Sequence, residues 1–598
     1  MMKTIEKHYD FVVVGGGMSG ICAAISAARN GVKTAFVHDR PVLGGNASSE
    51  VRVGVNGAGR TTPVAFKNAI ESGVILELML RNKKVNPQYS FNVMDNVSWE
   101  MVIEEKNIDL YLNTSMQTAH VENNKIVSID AFQNTTWKTF RLYADLFADN
   151  TGDANLAYES GADWTMGREG KDVYGESLAP DVSDNHTMGS TILYTARDTG
   201  KPVKFTRPSW AYEITDDILG RRNVHEVSNG YWWVEVGGDD LNTIENAEDI
   251  RDELLKYAYG AFDYVKNSGK FPHAENYALD WIGSVPGKRE SRRVYGDYVL
   301  NQNDIDAARI FDDAVAYGGW SMDDHTIGGI RAKWEAHKKG HGSVWNPVDD
   351  LYTIPHRCIY SRNIENLYVG GRCLSVSHMA LSSTRVIGTC AVIGQAIGTS
   401  AAIAKKYGIM PRQVNEHISE LQQLLLKDDA FLPGIETKDS EDLISNTKCT
   451  ITASSYKEGA EPHKANGAYA RRIEEEENKW ISQPMSKDGE WLQVQFDKPT
   501  KINEILLRFD PNFSKYFATR ITDSKRNNEE MQAELVRDYK IELIKDCKVL
   551  KEILVDDNFV RVNHHKFDSI TCDTVKIIVL KTYGDESARI DDIRIYAQ

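Results

Sequence analysis

The sequence has few cysteines, and their spacing does not predict a zinc site or a disulfide framework. Only 7 occur among 598 residues, scattered from Cys22 to Cys572 without a CxxC pair. An odd, sparse set of this kind is typical of reduced thiols in a cytoplasmic protein. We therefore expect no bound metal and a cytoplasmic location. A periplasmic or secreted location stays open if a signal peptide has been removed.

The sequence also lacks an excess of positive charge and a long hydrophobic run. The 70 Lys and Arg residues against 86 Asp and Glu residues give a net charge of −16. Such a chain is poorly suited to bind the phosphates of nucleic acids or an anionic membrane surface. No apolar run approaches the ~20 residues that span a bilayer. Met1-Met2-Lys3 is followed too soon by an apolar strand to leave room for a signal peptide. We expect a soluble protein without nucleic-acid or membrane partners.

Length and apolar content point instead to several globular domains. The chain is 41% hydrophobic, with 44 further glycines, and far exceeds a single domain of ~150 residues. Strand and helix patterns at both ends of an aromatic-rich middle region predict one Rossmann-like α/β domain split between residues 1–160 and 351–435. The middle, 161–350, is predicted to be an inserted α+β cap or substrate domain. Short alternating strands predict an all-β sandwich over 447–598.

The first forty residues carry a dinucleotide-binding motif. A buried strand, Phe11–Val14, runs into Gly15-Gly16-Gly17-Met18-Ser19-Gly20, then a small-residue helix and a second strand at Thr34–Val37. This GxGxxG pattern in a βαβ unit permits a tight turn, close approach to a pyrophosphate and close helix–strand packing. We predict cofactor contacts from five positions: Gly15, Gly17, Met18, Ser19 and Gly20.

The residue that binds the adenosine ribose is less clearly marked. An acid is expected at the end of the second strand, but His38 stands there and Asp39 follows it. Asp39, His38 or a backbone group can each serve, and Asp39 can equally be a solvated turn residue. Both His38 and Asp39 are kept as candidates.

The next segment, Arg40-Pro-Val-Leu-Gly-Gly-Asn-Ala-Ser-Ser49, extends the motif into a family resemblance. It resembles FAD-dependent oxidoreductases of the glutathione-reductase-like superfamily, near the succinate dehydrogenase and fumarate reductase flavoproteins. The resemblance implies FAD contacts from Arg40, Gly44, Gly45, Asn46, Ser48 and Ser49. No His, Cys or Tyr occurs between Gly44 and Gly59. We therefore expect the FAD to be bound noncovalently.

Two later segments strengthen this resemblance. The segment 148–157 contains Thr-Gly-Asp, and 366–372 (Asn-Leu-Tyr-Val-Gly-Gly-Arg) is followed by Gly394-Gln-Ala-Ile-Gly398. In the family these segments lie beside the cofactor, and a helix N-terminus faces the pyrimidine side of the flavin. The further FAD-binding residues implied are Gly152, Asp153, Gly371, Arg372, Gly394 and Gln395.

Candidate catalytic residues follow the last Gly-Gly pair. His378 can exchange a proton near neutral pH, and Arg385 can hold a carboxylate or enolate oxygen. Fumarate reductase-like enzymes have His and Arg four residues apart, whereas these are seven apart, so succinate or fumarate specificity does not carry over. His378 can instead be a structural hydrogen-bonding residue. His325 is a further candidate, and the arginines within 289–293 either line a substrate entrance or form structural ion pairs.

The C-terminal region resembles discoidin-like, galactose-binding-like jelly-roll domains. The resemblance rests on Ile451–Ser455, Trp480–Ser482, Glu490–Phe496 and Ala588–Tyr596. Such domains often bind glycans, but Trp480 and Trp491 match the family's core pattern. A structural or oligomerisation role is therefore an equal alternative.

Together these features predict an enzyme that transfers a hydride between noncovalent FAD and a small polar substrate, with a sugar derivative as one candidate. One alternative is an organic-acid reductase or dehydrogenase that holds a carboxylate with Arg385 or the 289–293 arginines. The other is a carbohydrate-binding protein whose flavin fold is catalytically silent.

Overall fold

The computed structural model describes residues 4–60, 67–220, 222–224, 226–332, 343–520 and 531–597. The chain forms two compact units. The first comprises Met1–Gly57 and Ser90–Leu421, and the second comprises Ala58–Tyr89 and Gln422–Gln598. Residues 58–89, which the sequence analysis placed with the N-terminal FAD-binding stretch, thus belong to the second unit. The finer boundaries at 160 and 350 stay predictions.

The helices and strands are numbered in chain order. The helices are α1 (Met18–Arg29), α2 (Val74–Val85), α3 (Phe91–Ile103), α4 (Asn155–Glu159), α5 (Lys171–Tyr174), α6 (Asp216–Leu219), α7 (Ala247–Asn267), α8 (Gln302–Asp306), α9 (His378–Thr384), α10 (Ile387–Tyr407), α11 (Ile418–Lys427) and α12 (Leu443–Asn446). The strands of the first unit are β1 (Thr4–Val14), β2 (Thr34–Val37), β3 (Ile108–Tyr111), β4 (Thr114–Glu122), β5 (Lys125–Gln133), β6 (Lys138–Asp149), β7 (Trp164–Thr165), β8 (Ser190–Thr191), β9 (Tyr194–Asp198), β10 (Glu235–Val236), β11 (Tyr277–Ile282), β12 (Gly287–Lys288), β13 (Arg293–Val294), β14 (Ala314–Gly318), β15 (Met322–His325), β16 (Ser343–Asn346), β17 (Tyr352–Pro355) and β18 (Leu367–Val369). Those of the second are β19 (Cys449–Ala453), β20 (Trp480–Pro484), β21 (Glu490–Phe509), β22 (Val536–Lys545), β23 (Lys548–Val555), β24 (Val562–Thr582) and β25 (Ser587–Tyr596).

The first unit is built on a sheet with the order β3-β2-β1-β6-β5-β4, and β18 pairs with β6 beyond this row. The strands β3, β2, β1, β6 and β18 run parallel, whereas β5 is antiparallel to both of its neighbours, β6 and β4. Residues 11–14 of β1 are all buried, as expected for a parallel strand covered on both faces. The predicted βαβ unit is confirmed, with α1 between β1 and β2.

Two small-residue helices, α1 and α10, pack together at short range. A Cβ added to Gly394 would lie 2.0 Å from the Ser19 carbonyl oxygen, and one added to Gly398 would lie 2.2 Å from that of Ala23. Glycine at both positions lets the two backbones approach. By length and composition α10 is able to cross a membrane, but 94% of its apolar window is buried inside the protein. We therefore interpret α10 as a core helix.

The middle of the chain has a hydrophobic cluster of its own within the first unit. Its core is built around α7, whose buried Leu254 and Phe262 belong to one cluster with Tyr194 and Trp233. Short antiparallel pairs, such as β9 with β11, surround this helix. This arrangement confirms the predicted α+β insertion between the two parts of the FAD-binding fold.

The second unit contains an antiparallel sheet with the order β20-β25-β21-β24-β22-β23, and β19 pairs with β21. Residues Leu492, Val494 and Phe496 point inward in alternation, which is the expected pattern for a strand with one buried face. The long strands β21 and β24 contain register shifts, for example between Gln495 and Thr500, which let the sheet bend. The predicted all-β sandwich is confirmed.

Helix α2 and its flanking residues are anchored within this second unit. The Arg471 guanidinium donates to the carbonyl oxygens of Asn68 (3.0 Å) and Ile70 (3.1 Å) and to Ser72 Oγ (2.7 Å). Lys83 Nζ donates to Gln532 Oε1 at 2.9 Å. Because these partners lie about 400 residues apart in the chain, local sequence patterns give no sign of the association.

Candidate cofactor and active site

A cavity of about 540 Å³ opens beyond the carboxyl ends of β1 and β2. This volume lies in the range of about 300–1,000 Å³ that is typical of ligand sites. The cavity brings most of the predicted site residues together. Those on its wall are Gly15, Gly17, Met18, Ser19, His38, Asp39, Arg40, Gly44, Gly45, Asn46, Ser48, Gly152, Asp153, Gly371, Arg372 and Arg385.

The glycine motif has the geometry that a pyrophosphate needs. A Cβ on Gly15 would lie 2.3 Å from the Asn150 backbone, and one on Gly20 would lie 1.8 Å from the Gly15 carbonyl oxygen. By contrast, a Cβ on Gly17 would meet nothing within 4 Å. Gly17 is also the N-cap of α1 and makes no side-chain cap. The open side of the motif therefore presents an uncapped helix N-terminus to the cavity, where a phosphate is favoured.

The side chain of His38 holds the glycine loop in place. Its Nδ1 accepts from the Gly16 N–H at 3.0 Å, and its Nε2 lies 3.1 Å from the Val42 carbonyl oxygen. Nδ1 also lies 3.2 Å from Asp39 Oδ1. Asp39, whose side chain is 62% exposed, also lines the cavity and is the carboxylate available to ribose hydroxyls. Arg40 lines it as well, held by a bidentate pair with Glu50.

The Gly-Gly-Asn segment lies against the glycine motif. The Gly44 N–H donates to the Gly16 carbonyl oxygen at 2.8 Å, and a Cβ on Gly45 would lie 3.0 Å from the Cα of Gly17. Both glycines have positive φ, 114° and 58°. Asn46 Nδ2 donates to the Lys288 carbonyl oxygen at 3.0 Å. This contact ties the cofactor segment to the cap.

Ser49 lies behind the cavity wall and does not line the cavity. Its N–H donates to the buried carboxylate of Asp95, at 3.0 Å to Oδ1. Ser48, its neighbour, lines the cavity. The structure therefore places Ser49 in the support of the loop that carries Ser48.

Asp153 links the flavin fold to the cap through charge. Lys288 Nζ lies 2.5 Å from Asp153 Oδ2, and Arg372 Nη2 lies 3.6 Å from Oδ1. Burial acts to raise the pKa of Asp153, but the charges of Lys288 and Arg372 outweigh it and lower the pKa below its usual value. Asn150 Nδ2 and Arg372 Nε, both buried, have no hydrogen-bond partner within the described chain. These unused donors at the wall fit an oxygen-rich ligand such as the pyrophosphate and ribityl chain of FAD.

The N-terminus of α10 forms another part of the wall. Ile387 and Cys390 line the cavity, and the N-cap Val386 makes no side-chain cap. Gly371, with φ of 61°, carries the chain into this corner. Gly394 and Gln395, predicted to contact FAD, lie instead in the buried body of α10, with Gly394 against α1. Like Gly20, Gly394 shapes the site by allowing two elements to pack closely.

Arg385 is the predicted catalytic residue that reaches the cavity. It is the C-cap of α9, and its side chain is 12% exposed. Its Nη2 donates to the Asp323 carbonyl oxygen at 3.0 Å and lies 3.4 Å from Asp323 Oδ2. Its Nε has no hydrogen-bond partner among the residues described. The guanidinium is therefore fixed on one side and keeps a donor for an oxyanion.

His378 is buried and paired at both ring nitrogens. Nδ1 lies 3.0 Å from Glu290 Oε1, and Nε2 lies 3.1 Å from Asp324 Oδ1. Burial acts to lower the pKa of His378, yet the two carboxylates raise it to about 10. The ring is not part of the cavity wall. The structure thus places His378 in a buried ion network, in agreement with its alternative structural role.

His325 occupies a second network of the same design. Its Nδ1 lies 2.7 Å from Glu235 Oε2, and its Nε2 lies 3.2 Å from Asp323 Oδ2. It is 4% exposed and does not line the cavity. Its partner Asp323, however, also contacts Arg385.

The arginines within 289–293 are engaged in structural contacts. Arg293 is fully buried between Glu169 and Glu290. Arg289 Nη2 donates to the Trp232 carbonyl oxygen at 2.9 Å, and Arg292 stacks on Tyr158 at 4.0 Å. None of the three lines the cavity.

The cavity wall also contains residues that the sequence did not mark as part of a site. Thr114–Met116, Val285, Pro286, Lys288 and the first residues of α7 all line the cavity. These residues come from β4 and the cap, far from any glycine motif. Only Lys288 lies in a segment whose sequence, dense in charge, marked it as a candidate region. No group of three or more His, Cys, Asp or Glu side chains in the described parts of the chain is placed to hold a metal ion.

The fold and the cavity define a protein with a Rossmann-type dinucleotide-binding site. A model of the FAD dependent oxidoreductase family matches residues 10–425, which is well over half of the chain. The protein belongs to this family, and the expectation of an FAD-dependent enzyme is confirmed at that level.

Comparisons with individual proteins are narrower. The soluble pyridine nucleotide transhydrogenase of Marinobacter nauticus is 46% identical over 43 residues, which is 7% of this chain and 9% of that protein. The chain thus spans less than a tenth of that relative's length.

Two solved structures of carbohydrate-binding modules are similar to part of the chain. The family 32 module of NanJ from C. perfringens, in complex with galactose, is 16% identical, covers 25% of this chain and 93% of its own, and has a TM-score of 0.18. A fucose-binding module of Streptococcus pneumoniae is 11% identical, covers 27% and 100%, and has a TM-score of 0.21.

Proposed function

We propose that this enzyme transfers a hydride between noncovalently bound FAD and a small polar substrate whose oxyanion is held by Arg385. Bound FAD supplies the hydride chemistry, and the protein binds, orients and shields the reactants. In this proposal the α1 N-terminus and Asn150 hold the phosphates, and Asp153 holds the ribityl hydroxyls. The substrate lies toward the corner formed by Arg385 and the N-terminus of α10.

The observation that carries the proposal is the state of Arg385 at the cavity wall. Among the other wall cations, Arg40 is paired with Glu50 and Lys288 with Asp153, and Arg372, whose Nε is also unpartnered in the part of the chain described, lies 3.6 Å from the same Asp153 on the cofactor side. Arg385 contacts Asp323 on one side only, and its Nε is unpartnered within the described residues. A guanidinium with a spare donor beside a helix N-terminus favours a carboxylate or an enolate oxygen.

This geometry also favours the second candidate function, the oxidation or reduction of an organic acid. The arginines within 289–293 are committed elsewhere, so Arg385 is the clamp that remains of those considered for a carboxylate. A neutral sugar derivative would leave its Nε unused. We therefore place organic acids, including acidic sugars, ahead of neutral polyols as substrates.

The test is an anaerobic screen in which bleaching of the flavin absorbance reports substrate oxidation. Sugars, polyols, hydroxy acids and acidic sugars are compared on the wild-type protein and on Arg385→Lys. An ammonium cannot reproduce the guanidinium fork, so Arg385→Lys should raise the KM of an acid at least ~10-fold while FAD stays bound. Equal activity of the two proteins on the substrate found would refute the clamp.

We propose for the sandwich a binding or structural role that does not depend on Trp480 or Trp491. Trp480 is fully buried, and Lys576 Nζ lies over the ring of Trp491 at 4.6 Å. Trp480 therefore offers no platform to a sugar, and Lys576 occupies one face of the partly exposed Trp491 ring. A glycan-array measurement on the full-length protein tests this, and loss of glycan binding in Trp491→Ala alone would contradict it.

A further inference from the structure

The acidic residue that fixes Arg385 is itself held by a buried histidine. Asp323 Oδ2 lies 3.4 Å from Arg385 Nη2 on one side and 3.2 Å from His325 Nε2 on the other. His325 continues the chain to Glu235, whose Oε2 is 2.7 Å from Nδ1 and 3.5 Å from Arg289 Nη1. A continuous row of paired polar side chains therefore runs from the cavity wall into the cap.

Both ring nitrogens of His325 are paired with carboxylate oxygens, one from Glu235 and one from Asp323. His325 is enclosed, 4% exposed, with Trp232 edge-on at 5.4 Å. It therefore cannot swing out to meet a substrate. Whatever His325 contributes to the site must pass through Asp323.

We propose that His325 is a positioning residue that sets how strongly Arg385 attracts an anion. As the second partner of Asp323, His325 shares the carboxylate's negative charge. Without that partner, Asp323 pairs fully with Arg385, and its charge cancels more of the guanidinium's field at the cavity. The inference rests on the proposed function, in which Arg385 holds the substrate oxyanion beside FAD.

The parallel network around His378 provides an internal contrast. His378 lies between Glu290 and Asp324, in the same buried arrangement as His325, and Asp324 is the neighbour of Asp323 in β15. The contacts of His378 do not include Arg385 or Asp323. Two histidines in similar surroundings thus differ in whether their carboxylate partner contacts Arg385, a residue of the cavity wall.

The experiment measures the affinity of sulfite for the FAD-loaded protein. Sulfite is a small oxyanion that binds oxidised flavins and bleaches their visible colour, so its Kd is read directly from absorbance. Four proteins form a double-mutant cycle: wild type, Arg385→Gln, His325→Gln and the double variant. We expect Arg385→Gln to weaken sulfite binding ~10-fold or more, since a hydrogen bond to a charged group is lost. His325→Gln should weaken it ~3–10-fold in the wild-type background and less than ~2-fold when Arg385 is already absent.

Controls separate positioning from general damage. His356 is equally buried, between Asn415 and Ser400, and has no contact with Asp323, so His356→Gln should leave the sulfite Kd within ~2-fold. Asp323→Asn should remove the coupling as well. An equal loss from His325→Gln in both backgrounds, or the same loss from His356→Gln, would overturn the inference. If Arg385→Gln itself has no effect, the proposed clamp fails first.

Discussion

At the scale of single residues, the glycines of the cofactor motif look alike in sequence but have different structural roles. Gly17 faces open space, whereas Gly20 abuts the backbone of Gly15. We expect Gly17→Leu to fold normally and to lose FAD, because the new side chain fills the phosphate path. The measurement is the ratio of FAD to protein after purification, with circular dichroism to confirm folding.

Gly20→Leu is the matched comparison for that variant. Its side chain would collide with the Gly15 carbonyl oxygen, so it should lower the thermal midpoint of the protein as well as its flavin content. A folded Gly17→Leu protein with a full complement of FAD would show that the pyrophosphate lies elsewhere.

The charge state of His378 makes a second prediction at the residue scale. Its folded-state pKa of about 10 lies above the ordinary value of 6.5. Because the pKa is raised on folding, the pairing of protonated His378 with the two carboxylates stabilises the folded state. That stabilisation is fully present below about pH 6.5 and is lost as the pH rises through about 10. Denaturant unfolding of the wild type should therefore show declining stability from pH 7 to pH 10.

The variant His378→Gln removes this pH-dependent stabilisation. It should leave the carboxylates of Glu290 and Asp324 buried without a cation and cost about 3–5 kcal/mol of unfolding free energy. Its stability should also vary less with pH over the same interval. A stable variant that retains FAD but is slowed ~100-fold in flavin reduction would instead restore His378 as the acid or base.

The two buried networks show what the sequence could and could not predict about the site. The glycine motif, Asp153 and the Gly-Gly segment are local patterns, and most of their residues do line one cavity. The pairing of His378 with Glu290 and Asp324 joins residues 88 and 54 positions apart. No local pattern fixes such partners, so a histidine destined for an ion network looks the same in sequence as a catalytic one.

At the scale of elements, the packing of α10 on α1 supports the cavity from behind. Gly394→Val places a branched side chain against the Ser19 carbonyl oxygen. A Cβ at this position would lie only 2.0 Å from that oxygen. We expect the two helices to separate, so that the thermal midpoint and FAD retention fall together. Gly408→Ala provides the control, because Gly408 ends α10 with φ of 64° and open space around it. Because an alanine at this positive φ is disfavoured, that change should cost only about 1–2 kcal/mol, and it should leave FAD bound. Unchanged FAD content in Gly394→Val would show that this contact does not shape the site.

At the scale of the whole molecule, the order of motifs along the chain suggests a different domain division from the one that the two compact units show. Every FAD-related motif precedes residue 405, which suggests that the sandwich is a detachable module. The second unit, however, includes Ala58–Tyr89, a segment that leaves the FAD-binding fold after Gly57 and returns to it at Ser90. The sequence gives no sign of this because α2 reads as an ordinary amphipathic helix, and the partners that bury it come some 400 residues later.

This arrangement predicts the outcome of truncation. A chain ending at Asp439 lacks Arg471 and Gln532, which anchor the α2 segment, and exposes Leu76 and Leu80, now buried. Each such side chain is worth about 1.5–3 kcal/mol when buried, so the shortened protein should aggregate and be purified with less FAD. Replacing both leucines by glutamine should restore solubility to the shortened chain, yet destabilise the full-length protein, in which both are buried. Soluble yield, FAD content and thermal midpoint of the four proteins test this directly. If the shortened chain alone matches the full-length protein in all three, the sandwich is separable and the α2 segment folds without it.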